Sequence, residues 1–324
     1  MTVSRELREL GVEGAIAAAA EKYGNRGKWG ADDELGTANY ITADKIRAAA
    51  GLVRKGRVFA LAFPFDAHGP QTGQYGRHNP IHTMTLSGAD CAAGKVPLPH
   101  GIGAADDAVT MPLQCGTQWD SLAHIFDHGQ MWNGYPCDSV NWTGAERCGI
   151  QVHKDKLVSR GVLLDVAHAK GRETLDDGYA VSEADLLATI ESQGASSRVA
   201  RGDIVIVRTG QLGRCLRDGW GTFAGGPAPG LSFDTVGWLH ASEIAAVATD
   251  TWGVEVRPNE WDGAFQPLHQ VAIPHIGLLL GEMWMVDELA ADCAEDRVWE
   301  FQLVAQPLPF TGAVGSPVNP IAIK

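Results

Sequence analysis

Amide, carboxylate and imidazole side chains gather in one short stretch of this chain, Gln114-Cys115-Gly116-Thr117-Gln118-Trp119-Asp120-Ser121-Leu122-Ala123-His124. An aspartate can ligate a cation and a histidine can move a proton near neutral pH, so Asp120 and His124 are the pair from which chemistry could be built. Four residues apart, they would share one face of a helix, yet the stretch reads better as a strand running into a turn. Cys115 reads as a small buried thiol and not a nucleophile, and strand alternation would point it away from Gln114. Farther on, His269 and Glu282 lie thirteen apart with Gly277 and Gly281 between them. Taken singly, Asp120 could be no more than a cap and His269 no more than a packed histidine. His78 and His82 have ligand-like spacing but no helical context to give it meaning.

Order and spacing add what single residues lack. The stretch resembles H-x-G-T-H-x-D-x-P-x-H, the signature of the cyclase family of metal-dependent hydrolases, which includes kynurenine formamidase and isatin hydrolase. Gly116, Thr117, Asp120 and His124 match it, while Gln114 and Gln118 stand at the first two histidine positions and Leu122 at the proline. Trp29-Gly30-Ala31-Asp32-Asp33-Glu34-Leu35-Gly36-Thr37-Ala38-Asn39-Tyr40-Ile41-Thr42 is similar to a W-G-x-D-D-E-x-G-T-x-N-x-I-T segment of the longer members. His269 and Glu282 are similar to the family's second ligand segment, so the resemblance runs from residue 28 to 305.

That resemblance implies a swivelling β/β/α single domain and a homo-oligomer, dimer or tetramer. It implies Asp120, His269 and Glu282 as metal ligands, His124 as catalytic base, and Gln114 and Gln118 as ligands or substrate contacts. An amide oxygen is a weaker donor than imidazole for zinc, so an oxygen-rich set favours a harder divalent ion, Mn2+ over Zn2+. The expected reaction is hydrolysis of a small amide, lactone or cyclic amide. Two alternatives stay open: a metal-free enzyme doing proton-transfer, elimination or ring-closing chemistry, and a non-catalytic small-molecule binder. Trp119, Phe126 and Trp132, flanking the motif, are the candidate pocket wall for substrate binding. Asp32, Asp33 and Glu34 most simply fix the N-terminal loop.

These residues need elements to hold them. With 45% hydrophobic and 20% charged residues in 324, the chain can bury a large α/β core. Strands are expected at 58–63, 81–86, 162–166, 204–207 and 245–249, where Val and Ile run between Gly, Asp or charged residues. Helices are expected over 4–22, from the Thr42 cap to residue 51, over 182–193 behind Ser182, and over 234–242. Residues 66–79, 88–107 and 210–230, dense in Gly and Pro, read as long functional loops. We divide the chain into an N-terminal helical extension, 1–27, and a catalytic domain, 28–324.

A net charge of −13 argues against nucleic acid as a partner, because phosphate binding needs clustered Lys and Arg. Six cysteines without a C-x-x-C pair support neither zinc knuckle nor redox motif. No apolar run of about 18 residues suggests a membrane span. Together these readings point to a cytoplasmic enzyme whose partner is a small carbonyl substrate.

Overall fold

A computed structural model describes residues 5–96 and 98–324. The chain folds as a mixed α/β single domain around a curled sheet of nine strands. In spatial order the strands are 58–60, 321–323, 300–304, 158–165, 204–208, 246–249, 279–282, 118–120 and 315–317. The four central strands from 158–165 to 279–282 are mutually parallel, and the flanking ones are antiparallel. Parallel strands need helices on their faces, so both faces are buried and the sequence becomes continuously apolar. Ile204–Arg208 and Ala246–Thr249 are buried at every residue. The direction changes where Leu279–Glu282 meets the antiparallel Gln118–Asp120.

The expected strands all form, with shifted ends: the run from 58 stops at Ala60 and that from 162 begins at Val158. Thr42 accepts from Lys45 N (3.2 Å) at the start of Ala43–Ala50, and Ser182 forms a capping box with Asp185 at Glu183–Gln193. The helix expected over 4–22 is two helices, Arg5–Glu9 and Gly11–Tyr23, because Gly11 takes a left-handed φ of 67°. Residues 1–4 lie outside the described residues. Ala15, Ile16 and Ala19 bury their face of the second helix in the main core.

Two loop expectations need correcting. Gly88–Ala92, inside 88–107, is a short helix that starts at a capping box between Ser87 and Asp90. Gln211–Asp218, inside 210–230, is a helix. Glycines bracket it, but Leu212 and Cys215 are buried in a small apolar cluster with Phe63, Phe223, Trp252 and Met283, and that packing outweighs the local punctuation. Residues 81–86 and 106–110 form a separate antiparallel hairpin that is exposed at nearly every position. Among the described residues no helix is long and apolar enough to cross a membrane.

Candidate active site

Strand alternation puts Gln118 and Asp120 on one face of their short strand and Trp119 on the other. Glu282, the last residue of its strand, is the register partner of Gln118. His269 arrives on the helix Pro267–Val271. Asp127 anchors that segment by accepting from Gln270 Nε2 (2.6 Å) and lying 2.8 Å from His275 Nε2. Thr117 fixes the other side, donating from its hydroxyl to the Met283 carbonyl (2.6 Å). Asp120, His269 and Glu282, all buried, thereby offer ligand atoms within 4.8 Å of one another.

Glu255 sets the histidine. Its carboxylate lies 2.5 Å from His269 Nδ1 and accepts the backbone N–H groups of His269 (3.0 Å) and Leu268 (3.1 Å). Nε2 of the same ring faces Glu282 Oε1 at 3.4 Å. A carboxylate behind a ligand histidine is the arrangement that fixes ring orientation at metal sites.

Gln118 joins the cluster through its amide nitrogen, which donates to Asp120 Oδ1 (3.2 Å) and Glu282 Oε2 (2.8 Å). Its Oε1 is buried without a partner, and so is Nε2 of Gln114. Gln114 lies against Gly315, the register partner of Asp120, where a methyl group would come within 2.5 Å of its Nε2.

His124 completes the group, with Nε2 3.8 Å from Asp120 Oδ1 and 19% of its side chain exposed. Burial pushes its pKa below the ordinary value; Asp120 opposes this, while Arg77 and His269 reinforce it. The ring is therefore neutral at pH 7, as a base must be. Burial also disfavours the charged form of His269, but its hydrogen bonds to Glu255 and Glu282 outweigh this and raise its pKa to about 10. Glu282 is pushed up to about 7 by burial and the nearby Asp120.

The donor set fits a divalent cation. Two buried carboxylates lie close together, an imidazole is oriented toward them, and one amide oxygen is hidden with nothing to bind. Turning the Gln118 carboxamide over would bring that oxygen to the two carboxylates, an arrangement only a cation would reward.

The putative cyclase family matches residues 59–256. The chain belongs to this family. A solved structure described as a novel cyclase is 39% identical, covers 93% of this chain and 100% of its own, and superposes with a TM-score of 0.84. Isatin hydrolase A from Labrenzia aggregata, bound to benzyl benzoate, is 18% identical over 85% of this chain and 94% of its own, with a TM-score of 0.61. A predicted metal-dependent hydrolase from Bacillus stearothermophilus is 16% identical, covering 82% and 97%, with a TM-score of 0.50. At such identity these last two show the fold. No curated protein sequence matches the chain.

Two of the three expected pocket aromatics lie elsewhere. Trp119 is fully buried on the far face of its strand, where Nε1 donates to the Ala305 carbonyl (2.7 Å) and the ring meets Trp284 edge-on. Trp132 is also fully buried and donates to Asp33 Oδ2 (3.0 Å), far along the chain from the motif. Phe126 is 39% exposed. In this cyclase-family chain the segment at 28–42 acts as scaffold: Asp33 accepts from Gly36 N, Asn39 and Trp132, and Glu34 from Arg147 and Cys148 N. His78 and His82 form no ligand pair, since His82 instead lies 2.8 Å from Asp107 on the exposed hairpin. Burial drives the Cys115 thiol up to about 11, which keeps it inert.

Glu255, Gln71 and Arg77 were not singled out from the sequence. Gln71 and Arg77 fall in a loop marked as functional by its length alone. For Glu255 no local signal existed, because its role depends on a histidine fourteen residues away in the chain.

Proposed function

We propose that this protein is a metal-dependent hydrolase acting on a small amide, lactone or cyclic amide. Convergence of Asp120, His269 and Glu282 on one buried point, with neutral His124 beside them, carries this reading. Family membership and the fold shared with isatin hydrolases support it. Asp120, His269 and Glu282 would hold the ion, with Gln118 and Gln114 contributing amide oxygens; the oxygen-rich set suits Mn2+ better than Zn2+. Such an ion, when bound, polarises a carbonyl and makes a water easier to deprotonate.

The protein's own residues do the rest. His124 takes the proton from the attacking water and returns it to the leaving nitrogen or oxygen, and Asp120 holds the resulting imidazolium. Glu255 keeps the His269 ring in place throughout. Phe126, part-exposed and two residues from His124, is the remaining candidate for the pocket wall. Residues 28–324 form the catalytic unit in this reading, with 1–27 as an extension, since every site residue falls in the former. A homo-oligomer is supported by the hairpin at 81–86 and 106–110, which exposes Ile81, Met84 and Val109 on a ribbon too small to be stable without packing.

The bridging amide of Gln118 favours a second reading, in which the two carboxylates are satisfied without an ion and His124 performs proton transfer alone. Turnover of an amide and lactone panel separates the two. His124→Ala should cost about 10²–10⁴-fold in turnover with the metal retained, whereas Asp120→Ala should abolish turnover. Full activity in Asp120→Ala would rule out the hydrolase mechanism.

A further inference from the structure

Two guanidinium groups sit over the same indole. The Arg77 guanidinium carbon lies 5.1 Å from the Trp252 ring centre and that of Arg257 5.4 Å. Arg257 also stands 5.7 Å from Phe265, and Tyr75 stacks on Trp252 with centroids 6.3 Å apart. Among the described residues neither guanidinium makes a hydrogen bond or an ion pair, although acids outnumber bases 39 to 26 in this chain. Nη1 of Arg257 is moreover hidden from water with nothing to receive its protons. A charged donor hidden without an acceptor is costly, and an anion at the guanidinium would relieve that cost.

The group is tied to the active site. Trp252 Nε1 donates to Gln71 Oε1 (3.5 Å), and Gln71 Nε2 donates to the carbonyl of Cys115, next to Gln114 (2.8 Å). Thr251, beside Trp252, accepts from Met283 N, the residue after Glu282 (2.9 Å). Arg77 is also close enough to His124 and Glu282 to act on both electrostatically. Arg257 and Phe265 in turn line a cavity of about 440 Å³ that also touches Asn259, a hydrogen-bond partner of Glu255.

We infer that Arg77 and Arg257, stacked on Trp252, form an anion clamp that selects a planar carboxylate-bearing substrate. The inference rests on the hydrolase reading for which bond is broken, but not for what is bound. The carboxylate pairs with the guanidiniums, which buried Trp252 backs, the planar part lies along the exposed rings of Tyr75 and Phe265, and the scissile carbonyl points toward His124. The arginines are specificity residues and take no part in bond breaking.

Equilibrium binding of benzoate and its neutral isostere benzamide to the full-length protein, followed by calorimetry, tests this. Benzoate should bind, with benzamide weaker by at least ~10-fold, the cost of losing a charge-assisted pair. Arg77→Gln should bring benzoate down to the benzamide level, Arg77→Lys should restore part of the difference, and Asp120→Ala should leave it intact. An unchanged thermal midpoint in Arg77→Gln is expected because the side chain makes no hydrogen bond to the fold; Arg257→Gln serves if that variant is unstable. Absence of benzoate binding, equal affinity for both probes, or benzoate affinity lost in Asp120→Ala and kept in Arg77→Gln would each overturn the clamp. Retained benzoate discrimination with no turnover of any amide or lactone would instead sink the hydrolase reading and leave the clamp standing.

Discussion

Two close carboxylate pairs in this protein are treated in opposite ways. On the helix Asp287–Asp296, Asp292 and Asp296 meet an excess of cations: Lys324 lies 2.8 Å from each, Lys55 lies 3.0 and 2.7 Å away, and Arg57 reaches Asp292 at 2.7 Å. Burial works to raise both carboxyls, but the lysines outweigh it and hold them below the ordinary value. At the active site Glu282 faces the His269 imidazole, which is already claimed by Glu255, Asp120 faces His124 at 3.8 Å, and both carboxylates accept from the amide of Gln118. Glu282 consequently rises to about 7. The same side-chain chemistry gives a structural staple where cations are supplied and a candidate binding site where they are short. Buried charges that lack partners mark function better than buried charges as such.

The contrast can be broken from either side. Glu255→Gln removes the carboxylate that orients His269, and metal affinity should fall by roughly 10–100-fold, read by competition with a chelating dye; unchanged affinity would show that the histidine needs no such support. Asp292→Ala strikes the staple instead. Lys324, 3% exposed, keeps Asp296, so the loss in urea unfolding should be roughly 2–3 kcal/mol, below the ~3–5 typical of orphaning a buried charge, with metal content unchanged.

The smallest effect concerns a third solution, a buried group kept neutral. His153 is fully buried with Nδ1 unbonded, and burial lowers its pKa to about 4. In the unfolded chain it protonates near 6.5, so the unfolded state gains protons first as pH falls and stability drops between 6.5 and 4. Relative to pH 8 the loss at pH 5.5 should be about 1.4 kcal/mol, and His153→Gln should flatten that part of the profile. An identical pH profile in the variant would remove His153 from the account.

Much of this architecture was legible in the chain. Ile204–Arg208 and Ala246–Thr249 announce themselves because a doubly covered parallel strand tolerates only apolar residues, and Ser182 and Thr42 mark helix starts through a local hydrogen bond. Asp120, His269 and Glu282 were found through the resemblance to the cyclase-family segments, and the fold brings them together. What failed depended on partners distant in sequence. Trp119 and Trp132 adjoin the motif in the chain, yet pleating and a hydrogen bond to Asp33 turn them into the core. Glu255 acquires meaning only once the chain folds His269 back onto it, and Arg77 only once its loop packs on Trp252; no local pattern encodes either contact. The helix Gln211–Asp218 was hidden by flanking glycines for the same reason, since its evidence lies in the cluster it buries.

Elemental analysis of untagged protein purified without chelator tests the central claim most directly, run beside Asp120→Ala and Asp292→Ala. The account predicts about one divalent ion per chain, manganese before zinc, in the unaltered protein and in Asp292→Ala, and essentially none in Asp120→Ala. Absence of metal from the unaltered protein even after incubation with manganese and zinc would contradict it, and would leave the Gln118 amide as the permanent occupant of the site.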